Sequence, residues 1–285
     1  MSAEGRSIGT RKGDTMTTLA EERTDAAVAA PYVLEAVHDH VCTLTLNRGE
    51  RYNPLSSDMI AALDAALDRV AQSAAVRVVV IAGAGKGFSA GHDLKELRAH
   101  PDAAWQQALF AACNRMMVKL TALPQPVIAR VHGLATAAGC QLVSMCDLAV
   151  ASDTARFALP GVNVGVFCST PAVGVARNIG RKRVMDMLLS GEPIDAATAH
   201  AWGLVNDVVP GHDLDATIAR RCAVIAAKSP VVVALGKRAF YRQVDAPLGE
   251  AYCAMADVMA ANLLEPHAAE GIDAFLAKRP PDWSR

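Results

Sequence analysis

Two glycine-containing turns hold the residues best suited to chemistry. The first is Gly87-Phe88-Ser89-Ala90-Gly91-His92-Asp93-Leu94-Lys95-Glu96-Leu97. The second is His132-Gly133-Leu134-Ala135-Thr136-Ala137-Ala138-Gly139-Cys140-Gln141-Leu142. Each joins an apolar, strand-like run to a helix through small residues. Small residues let a ligand approach the backbone, and a helix start leaves amide donors without partners. Two such turns side by side can aim two N–H groups at one oxygen, which stabilises negative charge developing on a carbonyl. Taken singly, each turn is equally compatible with ordinary tight packing. Neither reproduces the G-x-G-x-x-G spacing of a dinucleotide site, and no Gly-Lys-Ser/Thr completes a P-loop.

The elements that must position these turns follow from periodicity. Val33 to Asn47 reads as two strands joined at His38-Asp39-His40. Ser56 or Ser57 caps a helix whose apolar stripe is Ile60, Leu63, Leu67 and Val70. The β-branched run Val76–Ala82 predicts a strand buried on both faces. Asp93 caps a helix at Leu94. A helix over 103–120 turns Trp105, Leu109, Cys113, Met116 and Leu120 inward, and Pro124 and Pro126 stop it. Strands at Val127–Val131 and Leu148–Ala151 flank a helix near 139–145. This alternation argues for α/β layering. From about 170 the pattern is mostly helical: 171–178, 182–189, 196–201, 212–228, 230–244, 247–262 and 267–277. Gly203 fits a helix C-terminus, and Leu204-Val205 and Val208-Val209 read as short extended pieces.

Composition sets the limits. The chain has 285 residues, 52% hydrophobic and 20% charged, with a net charge of −1. That suffices for a sizeable core and gives no basic footprint for nucleic acid or a membrane surface. The seven cysteines are odd in number and show no CxxC pair, so they read as reduced thiols and not as a zinc site. No apolar run reaches the ~20 residues of a membrane span. Residues 1–30 read as a disordered tail, with Met16 as a candidate start. The Ala-rich composition suggests a bacterial, cytoplasmic protein.

Together the motifs resemble the enoyl-CoA hydratase/isomerase (crotonase) superfamily. The resemblance runs through Leu46-Asn47-Arg48, Asn53-Pro54-Leu55, Phe88 to Leu94, Gly133-Leu134-Ala135, Gly139-Cys140-Gln141-Leu142, Cys146 to Ala151, Phe157 to Gly165 and Glu270 to Arg279. It implies an α/β crotonase (ClpP-like) spiral of ββα units over 31–210. A C-terminal helical oligomerisation region would follow over 211–285, in a homotrimer or dimer of trimers. It implies a coenzyme A thioester as substrate and no resident cofactor. It also implies that the backbone N–H groups of His92 and Ala138 form the oxyanion hole. The loop Arg51-Tyr52-Asn53 would line the CoA nucleotide, with Lys95 and Lys278 near its phosphates or nucleotide, Lys278 reaching it from a neighbouring subunit. Pro54 stands where family members usually carry Ala, and it removes one donor.

The departures concern proton transfer. Family hydratases use two glutamates. The first position, after Gly139-Cys140, is Gln141; the second, after Phe157-Ala158-Leu159-Pro160, is Gly161. Glutamine cannot take a proton from water near neutral pH, and glycine has no side chain. Asp147 reads as a structural hydrogen-bonding group, and the His92 and His132 rings as packing residues. Cys140 and Cys168 show no activating partner. Asn163, Ser169 and Thr170 are expected near the acyl pocket. Standard hydratase activity is therefore expected to be weak or absent. A lyase-type enoyl-CoA hydratase/isomerase remains one reading. Another reaction of the thioester, decarboxylation or hydrolysis, is a second, and a non-catalytic acyl-CoA binder is a third.

Overall fold

The computed structural model describes residues 30–284. The expected tail, apart from Ala30, and the candidate start at Met16 lie outside that range. β1 (Val33–His38) and β2 (Val41–Leu46) form the expected hairpin, turning at Asp39 and His40, both with positive φ. α1 (Ser57–Ala71) starts at Ser56, whose hydroxyl accepts from the Met59 amide. β3 (Val78–Gly83) begins two residues later than the sequence predicts, because Arg77 N and Val78 N both donate to the His40 carbonyl at the sheet entry. Then come α2 (Leu94–Ala99), α3 (Ala103–Ala122), β4 (Val127–Val131), β5 (Leu134–Thr136), α4 (Ala138–Met145), β6 (Leu148–Ser152) and β7 (Arg156–Ala158).

A 3₁₀ turn, Pro160–Val164, leads to α5 (Ser169–Val175), α6 (Arg181–Ser190), β8 (Ile194–Asp195), α7 (Ala196–Trp202) and β9 (Asp207–Val209). The chain ends in α8 (Leu214–Ala226), α9 (Pro230–Gln243), α10 (Leu248–Leu263) and α11 (Pro266–Leu276). Leu204-Val205 is not a strand. The Leu204 amide donates to the Ala199 carbonyl and closes α7, so this buried pair serves the helix end.

The main sheet has the order β1-β2-β3-β4-β6-β9 and is parallel except for β1. Its central strands are buried on both faces, as parallel strands must be. Val78, Val80, Ile128 and Val150 pack against Leu214, Ile218 and Cys222 of α8. Val79, Ile81, Val127 and Ala129 turn to the larger core with α1, α3 and α4. A second sheet, β5-β7-β8, went unseen in the sequence. Its strands of three, three and two residues are too short to show a period of two.

Asp147 has the structural role its position suggests. Its carboxylate accepts from the Val127 amide at 2.6 Å, Lys237 Nζ at 2.6 Å and the Tyr241 hydroxyl at 2.9 Å. Lys237 Nζ also donates to the Leu120 and Gln125 carbonyls. Burial holds the Lys237 pKa below its ordinary value although Asp147 opposes the shift. Burial, with Asp147 beside it, pushes the Tyr241 phenol up. This cluster ties α9 to the entry of β4 and β6. All seven cysteines are free thiols, and no helix among the described residues is long and apolar enough to cross a membrane.

Candidate active site

The two donor turns are stitched together by backbone hydrogen bonds. Phe88 N and Ser89 N donate to the Leu134 carbonyl, and Thr136 N donates to the Ser89 carbonyl at 2.9 Å. The Ser89 hydroxyl donates to the Asn53 carbonyl and accepts from Gly91 N. The Thr136 hydroxyl donates to the Ala90 carbonyl. Two glycines allow the approach. A methyl on Gly139 would collide with the Ser89 carbonyl. Gly91 has φ +85°, and a methyl there would lie 2.9 Å from both the Thr136 carbonyl oxygen and Ala137 Cβ, and 3.0 Å from Ala138 N.

The methyl position of Gly91 thus lies against Ala138 N, and the His92 amide follows Gly91 directly in the chain. Ala138 is the first residue of α4, so its amide has no acceptor within the helix. Among the described residues, no backbone carbonyl outside the helices and strands accepts from either His92 N or Ala138 N. Buried amides without acceptors are uncommon. The backbone geometry that aims Ala138 N is itself costly: Ala137 has φ +48° and ψ −120°, a region that costs an L-residue about 1–3 kcal/mol.

His92 and Ala138 line a cavity of ≈ 570 Å³ whose far wall includes Gly161, Phe167 and Cys168. Asn163, Ser169 and Thr170 line it too, as the sequence suggests. None of the lining residues is Asp, Glu, Lys or Arg. The His92 ring is anchored to the backbone through one nitrogen. Its Nδ1 lies 3.1 Å from the Leu55 carbonyl, so that nitrogen carries the hydrogen. Its Nε2 is buried without a hydrogen-bond partner. The ring stands edge-on to Phe110 at 5.1 Å. Desolvation lowers its pKa, so it is neutral near pH 7. The thiols are no better placed for attack. Burial pushes Cys140 up to about 12 and raises Cys168 as well.

Gln141 sits on α4 three residues beyond Ala138, 4% exposed, with Oε1 buried and without a hydrogen-bond partner. At Gly161 a Cβ would collide with the Val166 carbonyl and stand 2.9 Å from Cys168 Sγ. The Val166 amide donates to the Gly161 carbonyl at 2.9 Å, so this loop is built around glycine.

The expected nucleotide residues divide. Arg51 is paired with Asp93 at 2.6 Å, and Asp93 also caps α2. Tyr52 is 42% exposed in a left-handed conformation. Asn53 is fully buried, and its side chain is committed to the fold. Its Oδ1 accepts from Arg48 N, and its Nδ2 faces the carbonyls of Ala84, Gly87 and Phe88 within 3.1 Å. Replacing Asn53 by Ala is expected to cost roughly 2–3 kcal/mol, because these groups lose their partner in the interior. An unchanged midpoint in urea unfolding would refute that. Lys95 is exposed on α2 beside the cavity-lining Leu94. Lys278 lies beyond α11, exposed, and is not among the lining residues.

Phe110 lines the cavity but was not singled out in the sequence. Phe110 is one residue off the inward stripe of α3, so it faces the cavity and not the core. Only an aromatic residue at the edge of that stripe signals it.

The family model described as Enoyl-CoA hydratase/isomerase matches residues 36–285. The chain belongs to the enoyl-CoA hydratase/isomerase family. Its fold is the crotonase fold. An enoyl-CoA hydratase from Mycobacterium smegmatis superposes with a TM-score of 0.88 at 50% identity, over 90% of this chain and 100% of that one. The human enoyl-CoA hydratase domain-containing protein 3 superposes with a TM-score of 0.87 at 43% identity, over 88% and 100%. The mitochondrial enoyl-CoA hydratase domain-containing protein 3 of Xenopus laevis is 45% identical over 88% of this chain and 85% of its own length. The cytoplasmic expectation is corrected by these relatives, since that protein and its rat, mouse and human counterparts are named mitochondrial.

Proposed function

We propose that this chain binds an acyl-CoA thioester with its carbonyl oxygen between the His92 and Ala138 amides, which stabilise an enolate as charge moves onto that oxygen. The observation that carries the reading is the pair of amides without backbone acceptors outside the helices and strands, on two turns that meet where Gly91 lies against Ala138 N. Such donors are worth more in a water-poor cavity than in water, and they need no reorganisation. Coenzyme A is part of the substrate, and no resident cofactor is required.

Crotonyl-CoA hydration is weak or absent in this reading. Hydration needs one group to take a proton from water and another to deliver one to carbon. Gln141 and Gly161 supply neither, and no carboxylate lines the cavity. The same observation favours, as second reading, a binder that polarises the thioester without turning it over. The exposed apolar side chains Met259, Leu263, Phe275 and Leu276 of α10 and α11 support assembly through the C-terminal helices, as a homotrimer or a dimer of trimers.

Loss of the enoyl thioester absorbance of crotonyl-CoA tests this. The unmodified chain is expected to run near background. Gln141→Glu restores one carboxylate and is expected to raise the rate by ~10²-fold. Gly161→Glu alone is expected to bring no gain, because its Cβ collides with the Val166 carbonyl. Fast hydration by the unmodified chain, lost in Gln141→Ala, would overturn the reading.

A further inference from the structure

The wall of the cavity beyond the two amides is made of hydrocarbon. Leu94 begins two residues after the His92 donor, Phe110 comes from α3, and Val164, Val166 and Phe167 come from the segment after the Pro160–Val164 turn. Leu94, Val164, Val166 and Phe167 are 57%, 60%, 58% and 46% exposed, so large apolar side chains are left open around this one hollow. Contiguous apolar surface of this kind marks a binding groove, and ≈ 570 Å³ lies within the range of small-molecule pockets. No cationic side chain lines it. A carboxylate carried into such a place would lose its water and gain no counter-charge.

We infer that the site selects an uncharged hydrocarbon acyl group of medium or greater length, and rejects short acyl groups and acyl groups ending in a carboxylate. The inference rests on the thioester reading above and names the substrate class of that same site. A thioester held at His92 and Ala138 has its acyl chain directed along Leu94, Phe110 and Phe167, and its length is read there by burial. Each buried methylene then tightens binding about fourfold until the cavity is full. Phe167, at the rim, is the residue whose change should invert the selection.

The test is calorimetric titration of the full chain with free CoA, butanoyl-CoA, octanoyl-CoA and glutaryl-CoA. Octanoyl-CoA is expected to bind on the order of a hundredfold tighter than butanoyl-CoA, and glutaryl-CoA no tighter than free CoA. Phe167→Arg is expected to weaken octanoyl-CoA and strengthen glutaryl-CoA. Thioesters that all bind more tightly than CoA, but with no dependence on chain length, would overturn the inference and leave the thioester reading intact. So would glutaryl-CoA matching octanoyl-CoA. A chain that binds none of the four would overturn both.

Discussion

Replacing Gly91 by alanine is expected to abolish polarisation of a bound thioester and to lower any turnover by ~10²–10³-fold, the usual effect of losing an oxyanion donor. The added methyl would stand 3.0 Å from Ala138 N and 2.9 Å from Ala137 Cβ, between the two turns. It would also hold an L-residue at φ +85°. The readout is the thioester carbonyl stretch of bound acyl-CoA in difference infrared spectra. It should shift to lower frequency with the parent chain and return toward its aqueous position with Gly91→Ala. Gly139→Ala provides an independent check, since its methyl strikes the Ser89 carbonyl from the other turn without the positive φ. A parent-like shift in both folded variants would show that the amides at 92 and 138 do not hold the carbonyl.

Removing the Asp147 carboxylate should have the largest effect on stability. Asp147→Ala leaves Lys237 Nζ, 6% exposed as a side chain, without its counter-ion, and orphans the Tyr241 hydroxyl and the Val127 amide. Breaking a buried ion pair from one side typically costs about 3–5 kcal/mol. In a chain of this size each kcal/mol lowers the melting temperature by roughly 2–4 °C. Pairing Asp147→Leu with Lys237→Met should recover much of the loss, because the uncompensated charge is then gone. Thermal unfolding followed by circular dichroism measures both. A single variant that melts with the parent would show that the cluster is solvated and contributes little.

The sequence revealed most of the frame because its central strands and long helices announce themselves. The Val76–Ala82 run reads as a doubly buried strand, and Val78 and Val80 do face α8 while Val79 and Ile81 face the main core. Ser56, Asp93 and the prolines mark helix ends through local chemistry. What stayed hidden depends on contacts distant in sequence. Asn53 was read as part of the loop that lines the nucleotide, and the fixing of its side chain to Arg48 and to carbonyls at 84, 87 and 88 was not foreseen. No local pattern encodes that. Phe110 and Val166 reach the cavity only because α3 and the 160–168 segment meet there. The missing carboxylates at 141 and 161 were legible only through the family resemblance, which says what usually stands at those positions. That Gly161 is required by the Val166 carbonyl was not.

The donors proposed for this site belong to the peptide main chain, and that has an evolutionary consequence. Point mutation to anything but proline rewrites the side chain and leaves the N–H group in place, so a lineage can exchange the residues at 92 or 138 and still present the same two amides. What selection must preserve is the spacing between two loops. Chemistry is then free to drift around a fixed electrostatic centre, and a chain with Gln141 and Gly161 in place of carboxylates would keep the means to acquire a different reaction.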